Sequence, residues 1–210
     1  MKKVLVTIFA CVLVFNLTSC KSESESTTKT TLTTTEPKKS TAAFSVANAK
    51  TNIKFTAYKT TEKIGVAGSF KKIDITHGGE GANIKEAINN TEFSIPVSGL
   101  ITKDSSRDYK IKKFFFGVMN NTKLLSGDLK LVDDSNGIAN ITMNGETQAV
   151  PFTYTIHRNE FNMKAIIDIN TWNAGKALAS LNKVCQDLHK GSDGISKTWS
   201  EVDLNISTTF

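Results

Sequence analysis

The sequence predicts a mainly β, antiparallel fold, a sandwich or a closed barrel, and three observations predict it. From Phe44 onward apolar and polar residues alternate with period two, which gives each strand one apolar and one polar face. The alternating runs are short, and turn residues separate them. Asn144-Gly145 joins two of them, and a type I′ hairpin needs positive φ at both central positions, which this dipeptide tolerates best.

The runs follow in order. Ile53, Phe55 and Ala57 alternate with Lys54 and Thr56. Val66, Gly68 and Phe70 do the same, in a strand expected to run on to Ile73 and Ile75. Phe93, Ile95 and Val97 alternate with Glu92 and Ser94, and Leu125, Gly127, Leu129 and Leu131 with Ser126, Asp128 and Lys130. Ile141 and Met143 precede the Asn-Gly turn, and Val150, Phe152, Tyr154 and Ile156 form the return strand. Phe161, Met163, Ala165 and Ile167 follow, and Val202, Leu204 and Ile206 close the chain.

Two segments break the period. Asp108–Gly117 reads as a short helix, with Asp104, Ser105 or Ser106 as its cap and Gly117 as its stop. Ala174–Lys190 is more clearly helical, with Ala174, Leu178, Leu181, Cys185 and Leu188 on one face and Gly191 and Gly194 ending it. Gly78-Gly79-Glu80-Gly81 reads as a loop between strands, because no helix with a phosphate-binding lysine follows it.

The N-terminus reads as a targeting segment. Lys2 and Lys3 precede an apolar stretch, Val4–Leu17, too short to span a bilayer but suited to a signal peptide. Leu17-Thr18-Ser19-Cys20 resembles a bacterial lipobox, which makes Cys20 the lipid anchor and residues 1–19 the cleaved signal peptide. Lys21–Ala42 is almost wholly Ser, Thr, Lys and Glu, and such a stretch buries too little apolar surface to offset its ordering entropy. Residues 20–42 are therefore read as a lipidated cysteine and a flexible tether, and residues 43–210 as one domain. Lys21-Ser22-Glu23-Ser24-Glu25 resembles the acidic surface-export sequence of some Bacteroidetes-type lipoproteins, and equally reads as a solvated tether. The expected location is the cell envelope, on the periplasmic face or the cell surface.

Composition narrows the function. Of three cysteines, Cys11 lies in the cleaved segment and Cys20 is acylated, so Cys185 has no partner for an internal disulfide. Loss of Lys2 and Lys3 leaves 24 of the 26 basic side chains against 20 acidic ones, a net +4. That charge forms no clustered stripe of the kind nucleic acid requires. Cys185 and His189, four apart on a helix, could share a metal, but no second pair has ligand spacing, so they read as a buried thiol and a rim histidine. No nucleophile, zinc-protease, nucleotide or paired-carboxylate motif occurs, so neither catalytic residues, metal nor cofactor are expected.

Four stretches in order carry a resemblance. Thr102-Lys103-Asp104-Ser105-Ser106-Arg107-Asp108 with Phe114-Phe115-Phe116 resembles the T-x-D-x-x-R-D…F-F stretch of YceI-like proteins. Val66-Ala67-Gly68-Ser69-Phe70 is similar to that family's V-x-G-x-F strand, and Phe93-Ser94-Ile95-Pro96-Val97 falls between the two in the right place. Met143–Val150 resembles its L-x-G-x-T-x-x-V hairpin. The resemblance spans about residues 43–171 and, through the final strand, reaches the C-terminus.

It implies a lipocalin-like antiparallel β-barrel whose elongated cavity holds a polyisoprenoid or another long-chain amphiphile. Phe55, Phe70, Phe93, Ile95, Arg107, Phe114, Phe115, Leu125, Leu129, Met143, Phe152 and Tyr154 are then the expected ligand contacts. Ala57, Gly68 and Gly127 would leave room for a flexible chain, with a polar head near Thr102, Asp104 and Arg107. The segment 172–197 departs from the family pattern by being longer and more helical, and a lid over the mouth would alter ligand size and entry. The expected partners are that lipid and the membrane, through Cys20, and the chain is compatible with a homodimer. The alternating residues also suit a packed interaction module with no hollow, and both readings stand at this point.

Overall fold

A computed structural model describes residues 41–210; the expected signal peptide, Cys20 and the expected tether as far as residue 40 lie outside the described residues. The described chain runs β1 (Phe44–Ser45), β2 (Lys50–Lys59), β3 (Ile64–Phe70), β4 (Asp74–His77), β5 (Glu80–Gly81), α1 (Ile84–Ile88), β6 (Thr91–Pro96) and β7 (Leu100–Ile101). It continues through α2 (Ser105–Phe114), β8 (Leu124–Leu131), β9 (Asn136–Met143), β10 (Glu146–His157), β11 (Glu160–Asp168), α3 (Gly175–Val184) and β12 (Thr198–Thr209). No described helix is long and apolar enough to cross a membrane.

Ten strands form one antiparallel sheet in the order β4-β6-β8-β9-β10-β11-β12-β2-β3-β7. Because directly paired residues share a face, the register gathers the apolar rows. Ile53 pairs with Phe70 and Ile206, Ile206 with Met163, and Met163 with Tyr154. Ile75 pairs with Phe93 and Ile95 with Leu125 at the other end. The period-two alternation read from the sequence thus becomes one continuous apolar wall.

The sheet is a curled barrel, and chain connections bring its ends together. β3 lies next to one end and β4 forms the other, yet only Lys71–Ile73 separate them. Extended chain covers at most ~3.6 Å per residue, so the ends are a short step apart. A second connection, the 3-10 turn Val97–Gly99, carries the chain from β6 to β7, and the Lys71 amide donates to the Gly99 carbonyl at 3.0 Å. Ile53, Phe93 and Ile95 bury together across this seam, packed by Phe70, Ile73 and Ile75. Ile73 and Ile75 therefore do not extend the Val66 strand, contrary to expectation; the chain leaves β3 at Phe70 and resumes as β4, paired with β6. The terminal strands β4 and β7 are not hydrogen-bonded to each other.

Local chemistry fixes the rest. Asn144 and Gly145 adopt φ of 54° and 77°, as a type I′ turn requires. Gly79 (φ 80°) accepts at its carbonyl from the Val46 amide and leads into β5, so part of the expected glycine loop is a short strand paired with β1. α2 starts earlier than expected because the Asp104 side chain accepts from the Arg107 amide at 3.0 Å, which draws Arg107 and Asp108 into its first turn. α3 ends at Val184, well before Gly191; a short 3-10 turn, Asp187–His189, follows, and Leu188 is exposed. Trp172, 1% exposed, anchors the approach to α3, donating its indole N–H to the Ile141 carbonyl at 2.8 Å.

Candidate functional site

Two apolar cavities lie inside the barrel. The first, ≈120 Å³, is bounded by Ile53, Phe93, Ile95, Leu129 and Phe161, with Ile88 of α1 among its walls. The second, ≈130 Å³, lies under the helices, bounded by Phe55, Leu100, Phe115 and Phe116, with Ile111 of α2 and Leu178 and Leu181 of α3. They abut: Phe70, Leu125, Met143, Ile167 and Leu204 line both. Apart from Thr51, Thr91, Thr198, Thr208 and the Trp199 indole, which donates to the Thr60 carbonyl, the lining is hydrocarbon or thioether. Such walls offer water no partners.

A third, polar pocket of ≈160 Å³ opens beside α2 and the end of α3. It shares Ala57, Ile111, Leu181 and Thr198 with the second cavity, and adds Lys59, Asp104, Arg107, Lys110, Cys185 and His189. His189 is held neutral, its pKa lowered to about 4 by burial and then by Lys59, Arg107 and Lys110. Its Nδ1 is 2.6 Å from the Thr198 hydroxyl. Burial pushes the Cys185 thiol up, against the opposing pull of the same three cations. Asp104 is held below the usual carboxylate range, first by the Arg107 amide and also by the Arg107 charge.

Most of the expected contacts converge on these hollows. Phe70, Leu125 and Met143 line both apolar cavities, Phe93, Ile95 and Leu129 the first, and Phe55 and Phe115 the second. Arg107 lines the polar pocket. Three residues do not converge. Phe114 turns away from its neighbours to pack edge-on against Tyr109, at 6.2 Å between ring centroids, with Lys113 near both rings. Phe152 spends its ring covering Gly137, where a Cβ would come within 2.2 Å of it. Tyr154 is buried to satisfy a different demand, donating its hydroxyl to the Asp133 carbonyl at 2.5 Å.

The small residues also behave differently from expectation. Gly68 leaves no room, because Phe55 lies over it 2.2 Å from where a Cβ would be. A Cβ on Gly127 would lie 2.0 Å from the Asn140 carbonyl. Of the three, only Ala57 lines an interior cavity. Thr102 is not at the mouth: it is buried, and its amide and hydroxyl donate to Asp108 at 2.7 and 2.6 Å.

Sequence reasoning missed Phe116, Leu178, Leu181 and Trp199 as cavity walls, and Lys59 and Lys110 at the polar pocket. The helical pair had a signal, since Leu178 and Leu181 fall on the predicted apolar stripe. A much larger hollow, ≈830 Å³, lies on the outer face across β2, β12 and β11, lined largely by outward side chains such as Lys54, Thr56, Lys164 and Asp203. It is an open saddle with no enclosing wall.

Comparison with known proteins decides the family. A model of the YceI-like domain matches residues 26–210. The chain belongs to the YceI-like family. No curated protein matches this YceI-like chain. Among solved structures it is similar to a polyisoprenoid-binding domain from Saccharophagus degradans implicated in plant cell wall breakdown. That match has a TM-score of 0.53 at 9% identity, over 76% of this chain and 93% of that one. BcnA of Burkholderia cenocepacia is also similar, with a TM-score of 0.51 at 16% identity, over 80% of this chain and 99% of that one. These likenesses agree with the curled antiparallel fold.

Proposed function

We propose that this YceI-like chain is a binding protein of the cell envelope, held by a lipid on Cys20, that takes an isoprenoid-type or other long apolar chain into its barrel without catalysing a reaction. The observation that carries the reading is the pair of abutting hydrocarbon-walled cavities. Moving an apolar tail into them from water gains ~25 cal/mol per Å² buried. The polyisoprenoid-binding function of the Saccharophagus degradans domain supports the same ligand class.

Size sets a condition. Small-molecule pockets usually occupy ~300–1,000 Å³, and each cavity is smaller. A long tail must occupy both, which requires the shared side chains to move aside. Leu125, Met143 and Leu204 suit that task, and methionine adapts its shape most readily.

Mass spectrometry of an organic extract of the purified protein tests the reading. We expect a stoichiometric long-chain species from wild type and at least tenfold less from Met143→Trp, whose ring fills the junction. The substitution is expected to cost ~1–3 kcal/mol through overpacking, and a retained cooperative melt confirms that the barrel still forms. A clean wild-type extract, with no stabilisation by added prenyl lipid, would favour a packed interaction module. For the anchor, Cys20→Ser should move the protein from the membrane pellet to the soluble fraction; continued sedimentation with membranes would refute it.

A further inference from the structure

We propose that the ligand is an anionic amphiphile, its carboxylate or phosphate head held in the polar pocket between Lys59, Arg107 and Lys110 while its tail fills the barrel. This rests on the apolar-ligand reading and names the class of ligand.

Continuity is the first argument. Ala57, Ile111, Leu181 and Thr198 line both the second apolar cavity and the polar pocket, so the apolar interior and the charged vestibule are neighbours that share walls.

Charge is the second. The pocket gathers three half-buried cations from β2 and α2 against one carboxylate, Asp104. Asp104 is already committed, accepting from the Arg107 amide at 3.0 Å and lying 3.4 Å from the Arg107 guanidinium. Among the described residues neither lysine meets a carboxylate. Lys59 Nζ donates to the Leu188 carbonyl at 2.8 Å and Lys110 Nζ to the Ser106 hydroxyl at 3.1 Å. An ammonium carries three donors, so each lysine keeps two for a ligand.

The nearby groups do not offset this charge. Tyr58 also lines the pocket, and its hydroxyl donates at 2.6 Å to Asp203, which does not. Asp187 is taken by Lys190 at 2.8 Å, and Glu201 pairs with Lys63. His189 is neutral at neutral pH because burial and the surrounding cations both disfavour its imidazolium, and Cys185 stays a thiol because burial outweighs the opposing pull of the same cations. A neutral head would leave two cations uncompensated. An oxyanion would meet them with charge-assisted bonds roughly twice as strong as neutral ones.

The test is binding of a matched pair, farnesyl phosphate and farnesol, to the delipidated full-length protein, with inorganic phosphate as a third arm. Farnesyl phosphate should bind at least tenfold more tightly than farnesol. In Lys59→Gln/Lys110→Gln the difference should fall below threefold, and inorganic phosphate alone should not compete at millimolar concentration. Equal affinity for the two prenyl compounds in wild type would overturn the anionic head while leaving the apolar-ligand reading intact. Binding of neither would overturn both. Competition by phosphate as strong as that by farnesyl phosphate would make the pocket a free-anion site and overturn the head assignment. A second readout needs no variant: NMR titration of His189 should show its pKa rising by about one unit or more on loading with farnesyl phosphate and staying put with farnesol. An unmoved His189 under both loads would count against the head position.

Discussion

At the scale of single residues, two kinds of side chain decide the interior: those that fill space over glycine and those that leave it. Phe152 covers Gly137, its cross-strand partner, and Phe55 covers Gly68 while also lining the second cavity. Phe70 and Met143 have no such duty and border the hollows. The sequence shows that all four point inward but not which rings are already committed, because that depends on the residue opposite, fixed only by register. The three consecutive phenylalanines illustrate the same limit. They must point in different directions, but only the position where α2 ends decides that Phe115 and Phe116 enter and Phe114 does not. His189 yields a prediction at this scale. Its folded pKa is about 4 and its ordinary value 6.5, so between those values the unfolded chain binds the extra proton. Its contribution to stability is complete above pH about 6.5 and is lost as pH falls toward about 4. Tm measured across pH 7 to 4.5 should therefore drop more in wild type than in His189→Gln. Glu62, held near 2 chiefly by the Ser192 hydroxyl, is lost only at lower pH and leaves this window clear.

At the scale of elements, strands were legible and helix limits less so. Period two survives in every strand because the fold has one apolar face throughout. The break after Phe70 had a signal: Val66, Gly68 and Phe70 fall on even positions but Ile73 and Ile75 on odd ones, so the period shifts across Lys71 and Lys72, where the chain crosses to the opposite end of the sheet. α3 ends early although Cys185 and Leu188 continue the helical spacing, and the Cys185 amide turns back to Asn182 and Leu181. The polar pocket could be read only in part: Asp104 and Arg107, expected beside a polar head, line it, but Lys59, Cys185 and His189 join them from the end of β2 and from beyond α3, which only the fold brings together. α2 depends on its cap. Asp104→Ala removes the acceptor for the Arg107 amide and should cost ~0.5–2 kcal/mol in urea denaturation. Asp104→Asn, which keeps an acceptor oxygen, should cost less than Ala, and equal losses would show that the cap is not the cause.

At the scale of the whole molecule, the sheet depends most on the strand that comes last. β12 lies between β11 and β2 and is paired with both along most of its length. Removing residues 205–210 deletes half of both ladders and should abolish the cooperative melt and the β-type circular dichroism. A truncated chain that melts like wild type would contradict the topology.

The position of that strand sets the order in which the molecule can be assembled. The segments either side of it, one beginning at Lys50 and the other ending at Asp168, have no ladder between them until the final twelve-residue strand is delivered. A nascent chain therefore cannot close its sheet before residues 198–209 have been made, and contacts between such distant segments form slowly. Because Leu204 and Ile206 of that strand wall the interior cavities, neither hollow is enclosed until it has joined both neighbours.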